Sequence, residues 1–150
     1  DLSKKYENVN FIIKAKKGEF ENYKYIKKIN KIDRKNLKYF NEGVGHPYLE
    51  KAQVVIGMNS TSILEAIAAK KRIIIPVFNK FRKQPYFQYI YEFPKSLWVN
   101  GKNELKIEIE KSIKNDFKLP YKIPGYKKMM KDYFGNIDNS GKKLFNFLNE

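Results

Sequence analysis

The residues best suited to chemistry in this chain run from Gly57 to Glu65: Gly57, Met58, Asn59, Ser60, Thr61, Ser62, Ile63, Leu64, Glu65. Ser60, Thr61 and Ser62 place three hydroxyl donors in a row, and Asn59 adds a side-chain amide. Gly57 allows the backbone to come close to a ligand. A helix opening near Ser60 turns its unpaired amides and positive dipole end toward the same spot. A phosphate or diphosphate suits such a site best. Glu65 reads two ways. Ser62-Ile63-Leu64-Glu65 matches a capping box, in which Glu65 folds back on the helix start. Alternatively, its carboxylate stands on the first helical turns and accepts hydrogen bonds from ribose hydroxyls. The local pattern leaves both open. Neither G-x-x-x-x-G-K-[ST] nor G-x-G-x-x-G occurs, so P-loop and dinucleotide sites lack their fingerprints.

To position those residues the chain needs a strand before them and a helix after. Val54, Val55 and Ile56 are an unbroken β-branched run, the pattern of a strand buried on both faces. From Ile63 the period becomes helical, with Leu64, Ile67 and Ala68 on one face. Ile73, Ile74 and Ile75 predict a second buried strand that stops at Pro76. This is one βαβ unit, and its strand-to-helix turn lies at the carboxyl edge, where open α/β sheets bind ligands.

The flanking sequence repeats the alternation. Residues 1–10 read as a helix end and a turn, Phe11 to Ile13 as a strand, and 19–32 as a surface helix. Leu37 to Phe40 read as an edge strand, Asn41 to His46 as a loop, and Pro47 to Ala52 as a short helix with proline in its first turn. Phe78 to Phe93 mixes Lys80, Arg82 and Lys83 with an aromatic cluster, which reads as cover for a sheet end rather than a base-stacking platform. Leu97 to Val99 predict a strand. Residues 103–113 predict a helix capped by Asn103, although their alternation partly suits a strand. The tail from Tyr126 leads to a last helix with Leu144, Phe145 and Leu148 on one face. Five strands alternating with helices imply an α/β fold with a parallel sheet in a single domain.

Composition bounds the rest. The 150 residues carry a formal charge of +15, from 31 Lys and Arg against 16 Asp and Glu. That balance favours anionic partners: phosphates, nucleic acid or an acidic membrane face. The lysines are scattered and no dense stripe forms, so composition bias outweighs nucleic-acid binding. With no Cys and one His, disulfides, thiolate metal sites and a zinc centre are not expected. No long apolar run predicts a membrane span or signal peptide. The chain opens at Asp1-Leu2-Ser3, and a piece of a longer protein is expected.

Residues 52–66 and 71–76, from the strand through Asn59-Ser60, Glu65-Ala66 and the strand ending at Pro76, resemble the donor-binding half of GT-B glycosyltransferases. The likeness is to the branch of surface-polysaccharide, capsule and CDP-glycerol-type transferases. Residues 133–140 resemble the Gly-Asn-x-Asp-Gly-like loop before the last helix of that branch, with Asn139 in place of the usual glycine. Residues 11–16 match the strand that commonly ends Lys-Pro-His, without the proline and histidine.

The resemblance implies a Rossmann-like parallel sheet flanked by helices, half of a GT-B fold, facing an N-terminal domain across a cleft. It implies a nucleotide-diphosphate donor and no covalently bound cofactor or metal. Ser60, Thr61 and Ser62 would meet the diphosphate, with Gly57 and Asn59 beside them and Glu65 on the ribose. Further phosphate contacts would come from Lys14, Lys16, Lys80 and Arg82. His46 is a candidate phosphate or acid partner; its alternative is a solvated loop histidine. The expected activity is transfer of a sugar or polyol phosphate in cell-envelope polysaccharide synthesis, in the cytoplasm or peripherally at an anionic inner membrane face. Alternatives are a nucleotide-sugar epimerase of similar fold, a basic non-catalytic nucleic-acid-binding domain, and a nucleotide-binding pseudo-enzyme.

Overall fold

The computed structural model describes residues 2–15, 32, 34–57, 61–78, 97–116, 122 and 124–135. Within these residues the chain is α/β, with two small parallel sheets flanked by helices. It divides into two compact units, Asp1–Ala52 and Gln53–Glu150.

The first unit holds α1 (Leu2–Lys5), β1 (Phe11–Lys14), β2 (Leu37–Phe40) and α2 (His46–Lys51). β1 and β2 pair in parallel, from Phe11 opposite Leu37 to Lys14 opposite Phe40. Asn36 fastens the unit's start. Its side-chain amide donates to the carbonyls of Ser3, Tyr6 and Val9 at 2.9, 2.9 and 3.0 Å. An amide has two hydrogens for these three acceptors, so one is shared. Arg34 Nη1 donates to the buried Ser3 hydroxyl at 2.8 Å. Pro47 sits in the first turn of α2 as the sequence predicts, although the helix opens one residue earlier at His46. Tyr48 of α2 packs on Phe40 of β2 with ring centroids 4.7 Å apart.

The second unit holds β3 (Val54–Ile56), α3 (Thr61–Ala68), β4 (Arg72–Pro76), β5 (Trp98–Val99), α4 (Lys102–Ile113) and α5 (Tyr126–Phe134). The three strands are parallel in the order β3-β4-β5. β4 is therefore central and buried along its whole length, with Ile73, Ile74 and Ile75 at most 1% exposed. Fully burying such a side chain is worth about 1.5–3 kcal/mol, so this strand anchors the unit. β3 is not buried on both faces as its β-branched run suggests. It pairs with β4 alone among the described residues, and Ile56 is 44% exposed.

Pro76 does not stop β4 but belongs to it, and the Val77 N–H still donates to Val99 O at 2.7 Å. In a parallel strand successive residues bond to opposite neighbours. Ile74 O accepts from Gly57 N–H on the β3 side, so the ring nitrogen of Pro76 faces that side too, beyond the described ladder. The acceptor opposite it would be the carbonyl of Gly57, just past the end of β3, so the missing donor falls outside the paired strand residues.

The inward stripe of α3 is Ile63, Ala66 and Ile67, each at most 1% exposed, rather than Leu64, Ile67 and Ala68. Both sets have helical spacing, and packing against β3 and β4 selects the former. Residues 103–113 are helical, but Gly101 caps them and Asn103 lies inside the helix. Glu104 supports that start by accepting the Asn100 backbone N–H at 2.6 Å. α5 goes unpredicted by the sequence reading. Its buried Tyr126 and Met129, three residues apart, are the signal that could have found it. The helix expected at 19–32, except Ile32, which is in no element, the aromatic segment from Phe78 to Phe93, except Phe78, and the last helix of the tail lie outside the described residues.

Candidate functional site

The site is built on the β3–α3–β4 unit. Val54, Val55 and Ile56 run parallel to Arg72, Ile73 and Ile74, and the Gly57 N–H closes the ladder onto Ile74 O at 3.2 Å. Gly57 thus leaves β3 at its carboxyl end beside the central strand. A Cβ added there would meet Ile63 Cγ1 at 3.2 Å and Cδ1 at 3.3 Å. Ile63 is 1% exposed and has little room to give. Close packing of strand end against helix therefore accounts for this glycine, the role that the last glycine of a nucleotide-binding turn plays.

Thr61 opens α3, so Ser62 and Glu65 are the second and fifth helical residues. A capping box would need Ser62 in front of the helix, with Glu65 in its first turn. With these bounds Ser62 lies within the helix rather than in front of it. Ser62 and Glu65, three apart, share a flank of the helix off the buried stripe, and both are half-buried. Glu65 lies on the side of α3 away from the Ile63-Ala66-Ile67 stripe. The first turn of α3 carries amides that no intrahelical carbonyl satisfies.

Gly57 and the start of α3 at Thr61 and Ser62 thus lie past the carboxyl end of β3, while Glu65, the fifth of eight helical residues, stands further along on the flank away from the inward stripe. Asn59, Ser60, Lys16, Lys80 and Arg82 lie outside the described residues. Lys14 and His46 belong to the first unit. Lys14 is the last residue of β1, and its ammonium turns back to donate to the Ala15 carbonyl at 2.7 Å. His46 is exposed and stands as the first residue of α2 rather than in a loop.

Comparison with family models, with characterised proteins and with solved structures returns no match. The site's chemistry therefore rests on its own residues.

Two features at the opposite, amino end of β4 hold the scaffold. Arg72, 6% exposed, donates to Glu108 Oε2 of α4 at 2.6 Å, and Lys111 reaches the other carboxylate oxygen at 2.8 Å. Burial lowers the pKa of the Arg72 guanidinium, and Glu108 acts against that shift. An arginine stays charged throughout the accessible range, so the pair acts as a fixed brace between sheet and helix. At the end of α3, the buried Tyr126 hydroxyl of α5 donates to Ile67 O at 3.0 Å. Neither contact was legible in the sequence, since 36 and 59 residues separate the partners.

Proposed function

We propose that this chain is the donor-binding part of a glycosyltransferase or polyol-phosphate transferase acting in cell-surface polysaccharide synthesis. It would form the Rossmann-like half of a GT-B enzyme and take a nucleotide-activated donor. The observation that carries the reading is the parallel β3–α3–β4 unit, with Gly57 packed under Ile63 and α3 opening at Thr61. That arrangement sets helix amides and the dipole end at the carboxyl edge of a parallel strand, where diphosphates bind. The sequence likeness of residues 52–66 and 71–76 supports the substrate class.

In this reading the first-turn amides of α3, with Ser60, Thr61 and Ser62, receive the donor diphosphate. Glu65 accepts hydrogen bonds from the ribose hydroxyls. As the bond to the transferred group breaks, negative charge grows on the departing diphosphate, and the fixed amide dipoles stabilise it. The acceptor and any general base belong to a partner domain.

Calorimetric titration with UDP, CDP and GDP tests the proposal. The wild-type chain should bind at least one of them, weakly, since one cleft wall supplies the contacts. Glu65→Ala should weaken that binding by about 1.5–3 kcal/mol, the range for hydrogen bonds to a charged group. Glu65→Gln should fall between, because it accepts hydrogen bonds without the charge. Absence of binding to all three at millimolar concentration would remove the donor site. Unchanged affinity in Glu65→Ala would remove Glu65 from it.

A further inference from the structure

Helix α5 presents a surface that the donor site does not use. Going round the helix from the buried Tyr126, the order is Met130, Phe134, Lys127, Lys131, Lys128, Asp132 and back to the buried Met129. Lys127, Lys128 and Lys131 are exposed, while Met130 and Phe134 are half-buried and form an apolar margin along one side of the lysines. The face is held in a set orientation. Tyr126 and Met129 are buried on the opposite side, and the Tyr126 hydroxyl is bonded to Ile67 O. The same carbonyl accepts the Lys70 N–H at 2.9 Å, which puts exposed Lys70 at the amino end of α5.

Composition bias alone does not account for this face. Helix α4, in the same unit, interleaves Lys102, Lys106 and Lys111 with Glu104, Glu108 and Glu110, and Lys111 is ion-paired to Glu108. On α5 three lysines meet a single carboxylate, Asp132. Among the described residues no carboxylate forms an ion pair with any of the three.

We infer that the α5 face docks the protein on an anionic lipid surface, with Lys127, Lys128 and Lys131 at the headgroup phosphates and Met130 and Phe134 at the acyl boundary. A short helix with a basic arc and an apolar margin is the form of an interfacial anchor. It lies on the membrane. Among the described residues no helix is long and apolar enough to cross one. Duplex nucleic acid would use the lysines but leave the apolar margin without a role. The inference stands apart from the donor reading.

The test is co-sedimentation of the full chain with vesicles of phosphatidylcholine alone or mixed with an equal part of phosphatidylglycerol. Wild-type protein should bind the mixed vesicles and not the neutral ones. The triple change Lys127→Gln, Lys128→Gln, Lys131→Gln should weaken binding on the order of a hundredfold, from the contribution of each lysine near a charged surface. Replacing the same three with Arg should preserve it. Lys102→Gln, Lys106→Gln, Lys114→Gln on and just after α4 removes the same charge and should keep affinity within about threefold, because these lysines are not part of the α5 face and charges away from the contact are screened. Equal losses in the two glutamine triples would assign binding to net charge and overturn the inference. So would equal binding to neutral vesicles, no binding to either, or tighter α5-dependent binding to duplex DNA. Nucleotide titration of the α5 triple should match wild type, so failure of one reading leaves the other standing.

Discussion

Tyr126 shows how one side chain joins two elements and gives the second unit a pH response. It is 8% exposed, its hydroxyl donates to Ile67 O, and burial raises its pKa above the usual phenol value. Below about pH 10 the phenol is protonated in both folded and unfolded chains, so it adds no pH dependence. Above that, the unfolded chain releases the proton first, and stability falls as pH rises toward the folded value. Tyr126→Phe should cost about 0.5–1 kcal/mol at pH 7, at the low end for a hydrogen bond because the Lys70 N–H still satisfies Ile67 O. Urea denaturation should show the gap between wild type and variant narrowing from neutral pH to pH 10.5. A gap that stays constant over that range would exclude the Tyr126 phenol as its source. Gly57 belongs to the same scale: its lack of a side chain is set by Ile63, an inward neighbour, as well as by any ligand outside.

The ends of the helices carry their own energetics. Lys70 after α3 and Asn115 after α4 both have positive φ, at 56° and 57°. The bonding around them is the same. Lys71 N–H reaches Ala66 O and Lys70 N–H reaches Ile67 O; Asp116 N–H reaches Lys111 O and Asn115 N–H reaches Ser112 O. These are paired left-handed stops that glycine suits best and asparagine tolerates. A lysine there bears about 1 kcal/mol of backbone strain. Lys70→Gly should therefore stabilise the protein by about 0.5–1 kcal/mol, and Asn115→Gly by distinctly less. Thermal melts of the two variants side by side check the order. Equal shifts, or loss of stability in Lys70→Gly, would show that the turn after α3 is not strained.

At the scale of the molecule, two compact units each carry a small parallel sheet; of the described candidate residues, Gly57, Thr61, Ser62 and Glu65 fall within the second and Lys14 and His46 within the first. The core among the described residues is also concentrated there, around β4, α3 and β5. If the proposed function holds, this chain supplies donor binding without the acceptor side of the cleft. The purified 150-residue chain should then bind nucleotide diphosphate yet show no transfer from labelled UDP-, CDP- or GDP-linked donors. Turnover by this chain alone would overturn the division of labour.

Local pattern was enough for the elements whose apolar residues meet a single neighbour. The strand at Phe11 to Ile13, the strand at Leu37 to Phe40 and the short helix with Pro47 in its first turn follow from short β-branched or aromatic runs and turn residues. The β3–α3–β4 unit was legible too, because strand and helix periods alternate within 25 residues bounded by Gln53 and Val77. The tertiary structure decided which face of each element is inside. Spacing allowed two stripes on α3, and contact with β3 and β4 chose Ile63, Ala66 and Ile67. A β-branched run looks the same in a central strand and at a sheet edge, so the exposure of Ile56 depended on strand order. Helix starts also shifted. Ser62, which the local pattern offers as a cap, falls inside the helix that starts at Thr61. The Arg72–Glu108 brace and the Tyr126–Ile67 bond join residues far apart in the chain, and no local spacing encodes a partner that only folding brings near.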